Sequence, residues 1–149
     1  EDLEAIRLDY LKHHDLERVH ARLHQNFLTL LESLNLPEEI EKRILDKRWG
    51  AAGQLNGTIL TATKIPKSGY IKEYFEAETS EEKRKIYCHC PRIRESIGED
   101  DRLYSLYCYC GAGFYKGIWE YILGRSVKVR VKESILDGDD HCSFEIDLK

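Results

Sequence analysis

The sequence predicts an α+β domain in which N-terminal helices precede an antiparallel sheet that ends in a C-terminal β-hairpin. Three observations carry this. Apolar residues recur at three- and four-residue steps through the first fifty positions, as one face of a helix requires. "VKVRVKE" (127–133) and "CSFEIDL" (142–148) alternate apolar and polar residues, which is the period of a half-buried strand. Between them stands Asp137-Gly138, a pair favoured in two-residue hairpin turns, where both central positions take positive φ. The 149 residues make one domain, 1–149, long enough to bury a core without covalent staples. Within it, 1–50 form a helical N-terminal part and 86–149 a cysteine-bearing region.

Taken in order, residues 2–34 predict one helix, with Leu16, Val19, Leu23, Phe27, Leu30, Leu31 and Leu34 on one stripe. Asn35-Leu36-Pro37 ends it, and Pro37, Glu38 and Glu39 open a second helix that Gly50 closes. "GAAGQLNGT" (50–58) reads as a glycine-rich loop and "TILTAT" (58–63) as a short strand. "GYIKEYFEAE" (69–78) is weakly helical, and "TSEEKRKIY" (79–87) begins with a hydroxyl cap followed by acids. "LYSLYCYC" (103–110), aromatic and without a helical period, suits a strand. "GFYKGIWEYILG" (113–124) suits a helix with Phe114, Ile118, Tyr121 and Ile122 on one side and Gly124 as its stop. Gly113 and Gly117 would let that helix pack closely on the sheet. A two-residue turn at Asp137-Gly138 then sets Val131 opposite Phe144 and Val129 opposite Ile146, a pairing that a one-residue slip would destroy. Glu133 shares the phase of the valines, so this register aims it inward, across from Cys142. A carboxylate so placed is costly unless paired, and a cation between acid and thiol would satisfy both.

Composition excludes several classes. Net charge is −4 with no dense basic cluster, which argues against nucleic acid as a partner. No apolar run approaches a membrane span and no signal peptide is visible. The five cysteines are odd in number and clustered, unlike a secreted disulfide framework, and predict a reducing, cytoplasmic setting. "CGAGFYKG" (110–117) is one residue off the dinucleotide-binding glycine spacing, and the next connection is a hairpin rather than a crossover.

The cysteines lie in "YCHC" (87–90), "YCYC" (107–110) and "HC" (141–142). On a strand, Cys108 and Cys110 would present both sulfurs on one face, with Cα atoms about 6.6 Å apart, the stretched limit for a disulfide. Tetrahedral zinc, with Zn–S near ~2.3 Å, accepts such a pair. Three uses stay open. One is a metal centre, zinc by ligand type, drawing on Cys88, His89, Cys90, Cys108, Cys110, Glu133 and Cys142. Another is a reactive thiolate, and the third is inert, buried cysteine. The aromatic set around them, Tyr104, Tyr107, Tyr109, Phe114 and Trp119, predicts either core packing or the wall of an apolar ligand pocket. "YCHCPRIRE" (87–95) also permits a catalytic reading in which Cys88, His89 and Cys90 supply nucleophile and base while Arg92 and Arg94 bind a carboxylate.

The run "CYCGAGFYKGIWEYILGRSVKVRVKESILDGDDHCSFEI" (108–146) resembles the vinyl reductase-like, hydrocarbon-binding domain family. The resemblance rests on a Cys before Gly-aromatic-x-x-Gly, a valine-rich strand ending in Glu, and a closing Gly-Asp-x-x-Cys-x-Phe. It implies an α+β fold related to small-molecule sensor modules and vesicle-tethering subunits, a homodimer, and a small apolar or aromatic ligand. It also implies zinc held by Cys108, Glu133 and Cys142. The further Cys that the pattern expects three residues after the Glu is Leu136 here, and the loop is two residues shorter. Cys90 or Cys110 would complete the set, ahead of Cys88 and His89. Relatives in the wider neighbourhood resemble cysteine-dependent hydrolases of small cyclic amides, which supplies the second functional expectation.

Overall fold

In the computed structural model, which describes residues 1–99 and 105–149, the predicted first helix is two. Helix α1 (Leu3–His13) is capped by Asp2, whose carboxylate accepts from the Ala5 N–H, and it stops where His14 turns left-handed at φ 52°. Asp15 then caps α2 (Leu16–Ser33) by accepting from the Arg18 N–H. The apolar stripe runs through the break, but the aspartate satisfies the open N–H groups of a new helix start. α2 buries Val19, Leu23, Phe27 and Leu31. α3 spans Glu38–Asp46.

Residues expected to form a glycine-rich loop are strand β1 (Gly50–Asn56), paired antiparallel with β2 (Ile59–Thr63). The glycines serve the strand. A Cβ on Gly50 would stand 2.4 Å from the Phe27 ring of α2, so this position lets the helix lie against the strand. Gly53, at φ 55°, marks an irregularity in the β1–β2 register, and a Cβ there would meet the Thr61 carbonyl oxygen at 2.2 Å. Next come α4 (Ile71–Glu76), α5 (Ser80–Tyr87), started by a Thr79/Glu82 capping box, and α6 (Pro91–Ser96).

The expected strand at 103–110 is not formed over its described part. Ser105–Cys108 make a 3-10 turn and α7 runs Tyr109–Leu123. The sheet order is β1-β2-β4-β3, with β3 (Lys128–Glu133) and β4 (Ser143–Asp147), so both edges of β4 are already taken. The helix instead approaches β4 at Gly111, where a Cβ would sit 3.0 Å from the Phe144 ring, while Gly113 and Gly117 face open space among the described residues. Its buried face is Ala112, Tyr115, Trp119, Ile122 and Leu123. Phe114 (66% exposed) and Tyr121 (41%) lie outside it, so the predicted face is rotated. Both rows are apolar, and contact with α1 and β3 selects one.

The hairpin pairs as expected at Val131↔Phe144 and Val129↔Ile146. Leu60 and Ala62 of β2 continue these rows across β4, giving the sheet one apolar face. On the other face Arg130 forms a bidentate pair with Glu145 at 2.8 and 2.9 Å. The turn differs from the prediction. Gly138 has φ 103°, but Asp137 is not left-handed, so a two-residue turn with both central φ positive is not made. Residues 134–142 form a longer loop in which the Ser134 carbonyl accepts from the Asp137 and Asp139 N–H groups, and the Asp139 carboxylate accepts from the Ser134 N–H. A bulge follows Val131, and Glu133 pairs with Ser143 rather than Cys142. The extra residue turns Glu133 onto the face of Ser143. Among the described residues no helix is long and apolar enough to cross a membrane.

Candidate functional site

A cavity of about 550 Å³ opens between α2, the start of β1, the end of β2, the 88–93 segment and the first turns of α7. All five cysteines of the chain border it, as do His89 and Lys64. The rest of its wall is largely apolar, including Phe27, Ile93, Tyr115 and Phe144. Cys88, Cys108 and Cys142 are buried, Cys90 and Cys110 are exposed, and all five are free thiols.

Chain order explains the convergence. Helix α5 ends at Tyr87, which places Cys88 inside; Pro91 then starts α6. Cys108 is the N-cap of α7, and Cys142 immediately precedes β4. Tyr87, fully buried, ties two of these segments together. Its hydroxyl accepts from the Cys142 N–H at 2.9 Å and donates to the Lys64 carbonyl. Burial pushes the Tyr87 hydroxyl well up, so it stays protonated.

The Cys108 sulfur and the Ser134 hydroxyl share a hydrogen bond of 2.9 Å. Ser134 is fully buried, and its oxygen also accepts from the Leu136 N–H at 3.1 Å. The neighbouring Cys142 thiol, and after it the Ser134 hydroxyl, hold Cys108 below the ordinary thiol range against the opposing effect of burial. Cys142 moves the opposite way, raised by Cys108 and then by burial. Within this pair Cys108 ionises first. Burial raises Cys88, with a weaker counter-effect from the Cys90 N–H that its sulfur accepts. Burial and then the Lys64 charge lower His89, whose ring contacts the Ile65 carbonyl at 3.3 Å. The imidazole is therefore neutral at pH 7.

Of the expected pocket aromatics, Tyr107 and Phe114 border the cavity and are 51% and 66% exposed, which makes its mouth apolar. Trp119 is buried core away from the cavity, with an Nε1 that has no partner among the described residues, and Tyr109 is exposed outside the wall. Tyr104 lies outside the described residues. The proposed metal ligands divide. Cys88, His89, Cys90, Cys108, Cys110 and Cys142 border the cavity, whereas Glu133 accepts from the Ser143 hydroxyl and lies 3.1 Å from His141 Nε2. Burial works to raise Glu133, but these two partners prevail and its pKa is lowered. Among the described residues no three His, Cys, Asp or Glu side chains are grouped to hold an ion.

Tyr87, Lys64 and Ser134 were not legible as site residues. Ser134 directly follows the strand, but the bulge that turns it toward Cys108 has no sequence mark. Set against family models, curated proteins and solved structures, the chain gives no match.

Proposed function

We propose that the protein is a binding module for a small apolar or aromatic molecule held in the cysteine-lined cavity. The observation that carries this is a cavity of about 550 Å³, mostly apolar, with Lys64, His89 and the tyrosines 107 and 115 as its few side chains with polar groups besides the thiols. Volumes of roughly 300–1,000 Å³ with a few placed polar groups suit small-molecule recognition. A neutral His89 beside a cationic Lys64 offers one anionic group a partner, so an amphipathic molecule with an aromatic body and a single acidic head is the preferred class. Binding of 1-anilinonaphthalene-8-sulfonate, which has that form, is the test. One saturable site is expected, lost in Ala51→Trp, which fills the cavity from β1, with the melting temperature kept. Unchanged binding in that variant, or no saturable site in the parent, refutes the reading.

A cysteine-dependent hydrolase of a small carboxylate or cyclic amide is the second reading, favoured by the neutral imidazole of His89 bordering the same space as Cys88 and Cys90. It ranks lower because burial raises the Cys88 thiol and the His89 ring is directed at a backbone carbonyl. Turnover of pyrrolidone carboxylate that disappears in Cys88→Ala or Cys90→Ala would reverse that order.

A further inference from the structure

We propose that a second, smaller cavity, between α3, α4, α5 and the 134–142 loop, binds a phosphate group, free or carried as a phosphomonoester. It shares no lining residue with the cysteine-lined cavity, so the proposal stands apart from what that cavity holds. Its volume is about 180 Å³. That is below the roughly 300–1,000 Å³ of a site for a whole drug-sized molecule and suits an ion or a headgroup.

Three cations border this space. Arg43 stands in the last turn of α3, Lys47 at its C-cap, and Lys83 comes from α5. The dipole of a helix end favours cations there, which accounts for Arg43 and Lys47 but not for Lys83 converging with them. Like charges one turn apart repel. Among the described residues neither Arg43 nor Lys47 makes an ion pair with a carboxylate. The one carboxylate in the lining, Asp140, lies 3.8 Å from Lys83 Nζ. His141 is turned to Glu133 at 3.1 Å. Three cations against one carboxylate leave two positive charges in excess, which a dianion would neutralise.

Aromatic rings hold the cations in place. Trp49, Tyr74 and Phe75 are buried against one another, with Trp49 centred 5.9 Å from Tyr74 and 5.8 Å from Phe75. The Arg43 guanidinium lies over the Phe75 ring, 4.6 Å from its centroid, and donates one N–H to the Phe75 carbonyl at 3.4 Å. That uses one of its five donors and fixes the plane of the group, so its remaining edges keep the fork geometry that matches two phosphate oxygens. Lys47 Nζ, 5.6 Å from the Trp49 centroid, adds a compact charge beside it. The apolar floor keeps water from one side and so strengthens both attractions.

Calorimetric titration of the whole chain with inorganic phosphate and with glycerol 3-phosphate, at ionic strength fixed with sodium chloride, is the test. One saturable site is expected. Tighter binding of the ester assigns the site to a phosphorylated headgroup, and equal binding assigns it to the free ion. Arg43→Gln and Lys47→Gln are each expected to weaken binding about tenfold, as loss of a charge-assisted hydrogen bond does. Arg43→Lys, which keeps the charge without the fork, is expected to fall between Arg43→Gln and the parent. Lys42→Gln removes an exposed cation of the same helix outside the cavity and is expected to change nothing. If Arg43→Gln fails to fold, Lys47→Gln decides, because its side chain makes no hydrogen bond among the described residues. No saturable binding of either probe to the parent overturns the proposal. So does unchanged affinity in a folded Lys47→Gln protein, or a loss in Lys42→Gln as large as in Lys47→Gln.

Discussion

Tyr87→Phe removes one oxygen atom from the centre of the molecule. That oxygen accepts from the Cys142 N–H at 2.9 Å and donates to the Lys64 carbonyl, in a side chain with no exposed surface. Phenylalanine fills the same space, so no cavity or rotamer change enters the comparison. A stranded buried N–H costs about 1–3 kcal/mol, and the lost bond to the carbonyl about 0.5–1.5 kcal/mol. The expected loss is about 3 kcal/mol, a large share of the roughly 5–15 kcal/mol that holds a domain folded. For a chain of this size each kcal/mol lowers the melting temperature by about 2–4 °C, so a drop of about 6–12 °C follows. Circular dichroism in thermal and urea melts measures it, with the urea m-value unchanged. Tyr74→Phe is the internal comparison. Tyr74 donates to the Asp140 carbonyl at 2.7 Å and strands no buried N–H, so about 1 kcal/mol is expected. Equal losses in the two variants, or less than about 0.5 kcal/mol for Tyr87→Phe, would refute the clamp.

Three further outcomes are expected. Gly53→Ala forces a side chain into φ 55° and sets its Cβ 2.2 Å from the Thr61 oxygen; a loss of at least about 3 kcal/mol in urea melts is predicted, and a loss below about 1 kcal/mol would discount the strand irregularity. Asp9 is held down to about 2 from an ordinary 3.8 by Arg18 and Arg22. A carboxylate with a depressed folded pKa stabilises above its unfolded value and loses that contribution as pH falls through the folded one. Acid titration of stability should therefore steepen between about pH 4 and 2, and Asp9→Asn should flatten that window; identical curves would remove the network from the acid response. Finally, Glu133→Gln is expected to leave zinc affinity, read by competition with a chromophoric chelator, unchanged, because that carboxylate is engaged by Ser143 and lies beside His141. A tenfold loss would make Glu133 a zinc ligand.

Local chemistry made much of the fold legible. The stripe of α2, the Thr79 cap of α5 and the strand pairings Val129↔Ile146 and Val131↔Phe144 each follow from periodicity or a hydrogen-bonding side chain within a few residues. Misreadings came where distant groups decide. Glycines 50 and 53 punctuate a loop in isolation, yet the Phe27 ring and the Thr61 carbonyl show why a strand needs them. The Asp15 cap that starts α2 lies under an apolar stripe that runs past the break, so the stripe alone reads as one helix.

What the sequence determined by itself was a set of periods and caps: helices first, alternating strands last, and thiols gathered in three short clusters. Only the tertiary structure decided which sulfurs share a space. The bulge at residues 132–133 sends Glu133 to Ser143 and away from Cys142, while the close approach of Gly111 to Phe144 brings Cys108 to the cavity. A one-residue shift in a strand reverses which face a side chain occupies, and that shift is chosen by packing between segments far apart in the chain. The residues around the cysteines carry no local trace of it.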